Sequence, residues 1–454
     1  MATRKARLTT GSITSHLIGQ TTPALFAVGA MTMVGIVDAY FIGRLGSAEL
    51  AAMSFIFPVT NALMSLGVGV MAAIASVVSR RLGAGEFDRA QRQSTLGIVV
   101  AGILGLVMGL GLVLCNRPLF RLMQAPEEIL PIIDQFMIPY SLGFPLVLLM
   151  MGLNGSLRAQ GEAKRSSAIM ITMALANAVL NPLLIDGMGI LPGFGVAGSA
   201  YATVLSWFLV TALGLRLLQK TDLPFAPASL KEARIAEGVR DLASVAAPAS
   251  FANAINPIGL SVLTALLAHE GASAVAGFGA AGRLQAFALM PLLALSGSIG
   301  AIVGQNWGAG SHDRARSAWA QAMLFCVGYG LATALILFLA RDWLAGLFTD
   351  DETVKASFRL YIEVAAWGYA GFGVLITTNG AFNAIGKAQR ALALSVTRVL
   401  LMMLPFAAYF QPRWGEAGVY GAELVANLGG AVLAAVLAWM LFRPGGTARQ
   451  EAVT

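Results

Sequence analysis

Charge is what this chain of 454 residues has least of: Asp, Glu, Lys and Arg together make up 12%, about half the share in a soluble domain. With 57% apolar residues and a mean hydropathy of +0.74, a soluble fold is excluded and an integral membrane protein is implied. Cysteine is nearly missing as well. Cys115 and Cys326 both lie in apolar stretches without metal-like spacing, which argues against a disulfide frame and against a metal site. Short alternating strands are absent, and with them the signature of a transmembrane barrel. The two Gly-Ala-Gly loops lack a following Lys-Ser/Thr pair, so they read as tight helix ends and not as phosphate cradles. No nucleophile and base set and no cofactor fingerprint is visible. The chain is therefore not expected to be an enzyme, to hold a cofactor or to bind nucleic acid.

What is present is a series of long apolar runs. Length, charged breaks and turn residues place spans at 16–42, 50–79, 93–114, 129–157, 166–187, 195–219, 243–268, 275–304, 315–340, 357–383, 390–411 and 417–442. The expected fold is an all-α membrane protein of twelve transmembrane helices. The amino terminus carries Arg4, Lys5 and Arg7, but the run behind it is too long for a signal peptide and reads as a retained first span. Lys and Arg are unevenly shared between the two sides, 21 against 7, with Arg283 and Arg398 inside spans. By the positive-inside rule both termini face the cytoplasm, and the net charge of +7 reflects topology and contact with membrane lipids.

An internal repeat organises the runs. Leu82-Gly83-Ala84-Gly85-Glu86-Phe87-Asp88-Arg89-Ala90 matches Trp307-Gly308-Ala309-Gly310-Ser311-His312-Asp313-Arg314-Ala315 at six of nine positions, 225 residues apart. The same offset relates Pro23 to Pro248, Gly46 to Gly271 and Asn154-Gly155 to Asn379-Gly380. Gly195-Val196-Ala197-Gly198 answers Gly418-Val419-Tyr420-Gly421 at an offset of 223. The chain thus divides into a six-helix bundle at 1–219, a cytoplasmic linker at 220–241 and a second bundle at 242–454. Six helices per copy make the copies parallel, related by a pseudo-two-fold axis along the membrane normal. Two such bundles suit alternating access.

Asp38 is the carboxylate that falls inside the first span, and an intramembrane acid is a functional-site candidate by default. The bland alternative pairs it with Arg44 at the outer surface. Glu363, Glu423, Asp134 and Asp186 stand near span ends and read as interfacial, solvated acids. Arg283 and Arg398 read as snorkelling or pairing with acids. Without a carboxylate around Pro248 or in the middle of the tenth span, the core of the second half is expected to be electrically silent.

Val-Asp-Ala-Tyr-Phe-Ile-Gly-Arg-Leu-Gly at 37–46, Asn-Gly-Ser-Leu-Arg-Ala-Gln-Gly at 154–161, Asn177 with Asn181-Pro182, Ala202-Thr203 and Gly-Gln-Asn-Trp-Gly-Ala-Gly at 304–310 together resemble a multidrug and toxic compound extrusion transporter of the DinF-like branch. That resemblance implies a secondary antiporter of the inner membrane, expected to act as a monomer, that exports cationic or amphiphilic small organic molecules. Protons are the implied coupling ion, with sodium as the alternative. It also implies coupling through Asp38, Asn177, Asn181 and Thr203, substrate contact at Asp38, Asn154 and Asn177, and a hinge at Pro23. At 181 the family pattern often has Asp where this chain has Asn. A flippase for a lipid-linked precursor and an uncoupled pore are the competing readings.

Overall fold

In the bilayer a spanning segment has no water to satisfy its peptide groups, so apolar runs of this length close their hydrogen bonds within helices. A computed structural model describes residues 6–188, 191–232 and 234–442. The spans are α1 (Ile13–Gly43), α2 (Ser47–Gly83), α3 (Phe87–Leu122), α4 (Leu130–Ala159), α5 (Ala163–Ile185), α6 (Val196–Leu218), α7 (Ile235–Leu267), α9 (His312–Phe348), α10 (Glu352–Ala384), α11 (Ala388–Trp414) and α12 (Glu416–Phe442), with α8 bent by 46° between Ala272–Ala288 and Met290–Gly308. Counting the bent pair once, the described residues hold the twelve spans read from the sequence. A two-residue ribbon, Gly187–Met188 against Leu191–Pro192, closes the loop before α6. Arg4, Lys5 and the basic residues of the carboxyl tail lie outside the described residues.

The described chain forms two compact units, and their limits differ from the bundle limits expected above. The first takes in Thr22–Ser250; the second takes in Leu8–Thr21 and the chain from Phe251 onward. The divisions therefore fall inside α1, next to Pro23, and inside α7, just after Pro248. A helical proline removes a hydrogen bond and clashes with the preceding turn, which makes both places natural points for a helix to pass from one unit to another. The interval expected to be a linker is also partly regular, with a 3₁₀ turn at Pro227–Glu232 and α7 beginning at Ile235.

Within each unit the repeat is a repeat of packing. A Cβ built on Gly155 of α4 would lie 2.6 Å from the Met71 carbonyl oxygen of α2, and one on Gly380 of α10 would lie 2.5 Å from the Ser296 carbonyl oxygen of α8. Met71 and Ser296 are themselves 225 apart, so a glycine admits the same helix-on-helix approach in both units. The end of the repeat needs a correction. Gly195 has φ 55° and ψ −131°, and the residue that repeats this geometry is Gly415, with φ 57° and ψ −135°. The Gly198 and Gly418 amides then donate back to the Gly195 and Gly415 carbonyls at 3.0 and 3.1 Å. The structural offset here is 220, because the left-handed turn demands glycine at 195 and 415, whatever the neighbouring letters match.

The Gly-Gln-Asn-Trp-Gly stretch at 304–308 does more than end a helix. Within the second unit the buried Gln305 accepts from the Leu8 amide through Oε1 at 2.9 Å, and the Asn306 amide donates to the Leu8 carbonyl at 3.1 Å. Arg314 donates to the Gly11 carbonyl at 3.0 Å. The segment leading into α1 is thereby held along its backbone, independent of its side chains.

Candidate functional site

The first unit encloses a cavity of about 550 Å³ walled by α1, α2, α4, α5 and α6. Most of its wall is adaptable and apolar: Met31, Met53, Met64 and Met173, with the rings of Phe57 and Trp207. Trp207 meets Tyr140 edge-on at 5.0 Å. Asp38 is the one charged side chain among the described lining residues, accompanied by Asn61, Asn177 and Thr203.

A short hydrogen-bonded line ties that carboxylate to the wall. Asn181 donates through Nδ2 to Asp38 Oδ1, and also to Asn177 Oδ1 at 2.9 Å. Asn177 in turn donates to Thr203 Oγ1 at 3.2 Å. The spacing of 177 and 181 puts both amides on one face of α5, toward α1 and α6. Asn181 is fully buried, and its Oδ1 has no partner. An unpartnered buried oxygen beside a carboxylate is the arrangement that a shared proton or a small cation would satisfy.

Asn154 is placed elsewhere. It is fully buried, and its Oδ1 accepts from Arg158 Nε at 3.0 Å and from Ser166 Oγ at 2.7 Å. It does not line the cavity, because its amide is engaged in joining α4 to α5. The bland alternative for Asp38 is not realised either: Arg44 stands 3.9 Å from Asp186 and over the Tyr40 ring, and its ion pair is not with Asp38. Glu363 and Asp134 sit in ion pairs at 2.8 Å with Arg341 and Arg117.

Two expectations for the second unit fail. Glu423, expected at the interface, is 2% exposed, and Arg398, expected to snorkel or pair with an acid, is 4% exposed. Arg398 is bonded instead to the amides of Asn427 and Asn256, at 2.8 and 2.6 Å. The core of the second half is charged. Proximity to the end of an apolar run suggested solvent for Glu423. Its actual neighbours, Gln285 and Tyr361, come from helices far away in sequence.

A model of the MatE family matches the chain twice, over residues 23–183 and again over 248–409. The chain belongs to the MatE family. The two matches begin 225 residues apart, at Pro23 and Pro248, and so restate the internal repeat. The FAD transporter of Shewanella oneidensis is 34% identical over 404 residues, 88% of this chain and 89% of that protein. The multidrug export protein MepA of Staphylococcus aureus is 24% identical over 424 residues, 92% of each chain. Among solved structures, the Vibrio cholerae MATE transporter VcmN in its bent form matches with a TM-score of 0.89 at 26% identity, over 95% of this chain and 97% of that one. An outward-facing MATE multidrug transporter shares the fold with a TM-score of 0.91. As a MatE protein the chain is a transporter and not an enzyme, and it crosses the plasma membrane many times.

Proposed function

We propose that this protein is a secondary antiporter that exports cationic or amphiphilic organic compounds in exchange for protons by alternating access. The observation that carries this reading is the cavity of the first unit, where a single carboxylate stands among described lining residues that are otherwise uncharged, methionine-rich and aromatic. Methionine and aromatic surfaces re-pack around differently shaped apolar bodies, and Asp38 supplies the attraction for a positive charge. The ionised carboxylate accepts from Asn181. Protonation removes its charge and turns one of its two oxygens from acceptor to donor, so the occupancy of one oxygen decides whether a cation is held and how α1 is tied to α5. Pro23, where α1 passes between units, is the hinge at which that difference becomes a change of helix direction. Thr203 and Asn177 orient Asn181. Sodium in place of the proton would meet one carboxylate and neutral oxygens only.

The relative of Shewanella oneidensis favours a second reading, in which the cargo is a flavin dinucleotide. The aromatic wall suits a stacked flavin ring, but no cation is among the described residues that line this cavity to meet a diphosphate, which is why the first reading is preferred. Membrane vesicles loaded with a lipophilic cationic dye or with FAD, and energised by a proton or a sodium gradient separately, decide between them. Dye efflux driven by the proton gradient alone is expected; FAD movement without dye efflux would replace the first reading by the second.

The orientation proposed with this function places both termini in the cytoplasm, supported by the distribution of basic residues. Lys231 lies on the exposed 3₁₀ turn between α6 and α7. A Lys231→Cys variant, with the exposed Cys115 replaced by Ala, is expected to react with a membrane-impermeant maleimide only after the cytoplasmic side is opened. Labelling of intact cells would invert the topology.

A further inference from the structure

The second unit contains a buried ionisable group that the mechanism above leaves idle. Glu423 of α12 accepts from Gln285 Nε2 of α8 at 2.6 Å and from the Tyr361 hydroxyl of α10 at 3.1 Å. One turn further along α12, Asn427 is fully buried and accepts from Arg398 Nε. The guanidinium also lies over the Phe372 ring, 5.0 Å from its centroid. No ion pair within 4 Å joins Arg398 to Glu423 among the described residues. Arg398 is bonded to Asn427 instead, whose Nδ2 is a buried donor without a partner. A network kept only to hold helices together would close its ion pair and satisfy its amides. This one leaves a buried acid and a buried base without a direct bond to each other, and leaves an amide donor free beside the base.

Two more features bear on what the network can do. Arg398 sits in a π-helical segment of α11, Thr397–Met403, a rare form of helix that is frequent at functional sites. A second polar cluster lies two turns before Glu423 on α12. The Glu416 carboxylate, at the start of α12, accepts from Ser357 Oγ and, at 3.3 Å, from the Tyr420 hydroxyl. Ser357 Oγ and the Tyr420 hydroxyl are 2.8 Å apart. The Tyr420 ring packs edge-on against the Tyr361 ring, 5.3 Å between centroids, and Tyr361 reaches Glu423. Besides these residues, the titratable groups around Glu423 are Tyr369 of α10 and Arg398 of α11.

We propose that Glu423 is a second proton-binding carboxylate of this transporter, counterbalanced by Arg398. The inference rests on the proton-coupled reading above. In the ionised form Glu423 and Arg398 leave the core of the second unit neutral. A proton taken from water and bound at the Glu423 carboxylate leaves that core with one net positive charge, that of Arg398. The π-helical segment is the element placed to respond, since Arg398 loses its counter-charge while keeping Asn427 and Asn256. The proton leaves Glu423 for the opposite side of the membrane when that side has access, which completes one exchange.

The full-length protein in lipid nanodiscs tests the assignment by infrared difference spectra between acid and alkaline pH. In an Asp38→Asn background, so that Asp38 does not contribute, a carboxylic C=O band at the frequency of a buried acid is expected, lost when Glu423→Gln is added and moved in midpoint by about half a pH unit or more when Tyr361→Phe is added. The Tyr361→Phe protein keeps the carboxyl group, so the test survives a Glu423→Gln protein that fails to fold. In proteoliposomes Glu423→Gln is expected to lower proton-driven dye transport about tenfold, within the range of coupling energies between sites, and Glu423→Asp to restore it in part. A band that survives Glu423→Gln in the Asp38→Asn background, or a Glu423→Gln protein with undiminished proton-driven transport, overturns the inference. A band lost with Glu423 as expected, beside a wild type without proton-driven transport, overturns the coupling reading alone.

Discussion

Asp38→Asn is expected to reduce gradient-driven efflux of a cationic dye to background, while the amount of protein in the membrane stays within about twofold of wild type. Asparagine has the shape of the aspartate and keeps an oxygen at the Oδ1 position, so Asn181 retains its acceptor and α1 its tie to α5. What disappears is the one charge among the described residues lining the cavity and its ability to exchange a proton. An ion-driven exporter needs one group whose charge alternates between two packings, and this variant fixes that group as neutral. The result is read in inverted vesicles by dye fluorescence, with quantitative blotting for abundance. Undiminished efflux would remove Asp38 from the coupling.

The second large effect concerns glycine at the points of closest helix approach. Gly155→Ala and Gly380→Ala each place a methyl group 2.6 or 2.5 Å from a backbone oxygen, well inside van der Waals contact, and the atom in the way is main chain that cannot rotate aside. Overpacking of this kind costs roughly 1–3 kcal/mol. A lower midpoint of thermal unfolding in detergent is expected for both variants, and by similar amounts, because Met71 and Ser296 are equivalent in the two units. Gly328→Ala in α9 is the control. A methyl group there has no neighbour within 4 Å, and replacing glycine in a helix by alanine is favourable by about 1 kcal/mol or less. If Gly155→Ala were as mild as Gly328→Ala, the helix packing described for α4 and α2 would be wrong.

Much of this architecture was legible in the amino acids. Long apolar runs can satisfy their backbone in lipid only as helices, so run length alone revealed the spans; the 225-residue repeat revealed two copies. Repetition in letters is weaker than repetition in geometry at the far end of each copy. Gly418-Val-Tyr-Gly looked like the partner of Gly195-Val-Ala-Gly, yet the residue in the equivalent left-handed turn is Gly415. At the first-unit site, the i, i+4 spacing of Asn177 and Asn181 is a helix-face statement and could be read directly. Asn154 could not be placed, since only the fold shows that Arg158 and Ser166 engage it. The charged core of the second unit was hidden for the same reason. Glu423 and Asn427 share a face of α12, but Gln285 and Asn256 are supplied from 138 and 142 residues away from their partners.

The passage of α1 from one unit to the other bears on how the chain is made. Leu8 to Thr21 leave the ribosome first, yet the groups that hold them, Gln305, Asn306, Arg314 and Gln321, are synthesised about three hundred residues later. The opening turns of the first helix therefore wait in the bilayer without their partners for most of translation. The second unit thus draws its first helical turns from the start of the chain and the first unit draws the opening of α7 from beyond its own repeat, so the boundary between the two copies in sequence is not the boundary between the two units in space.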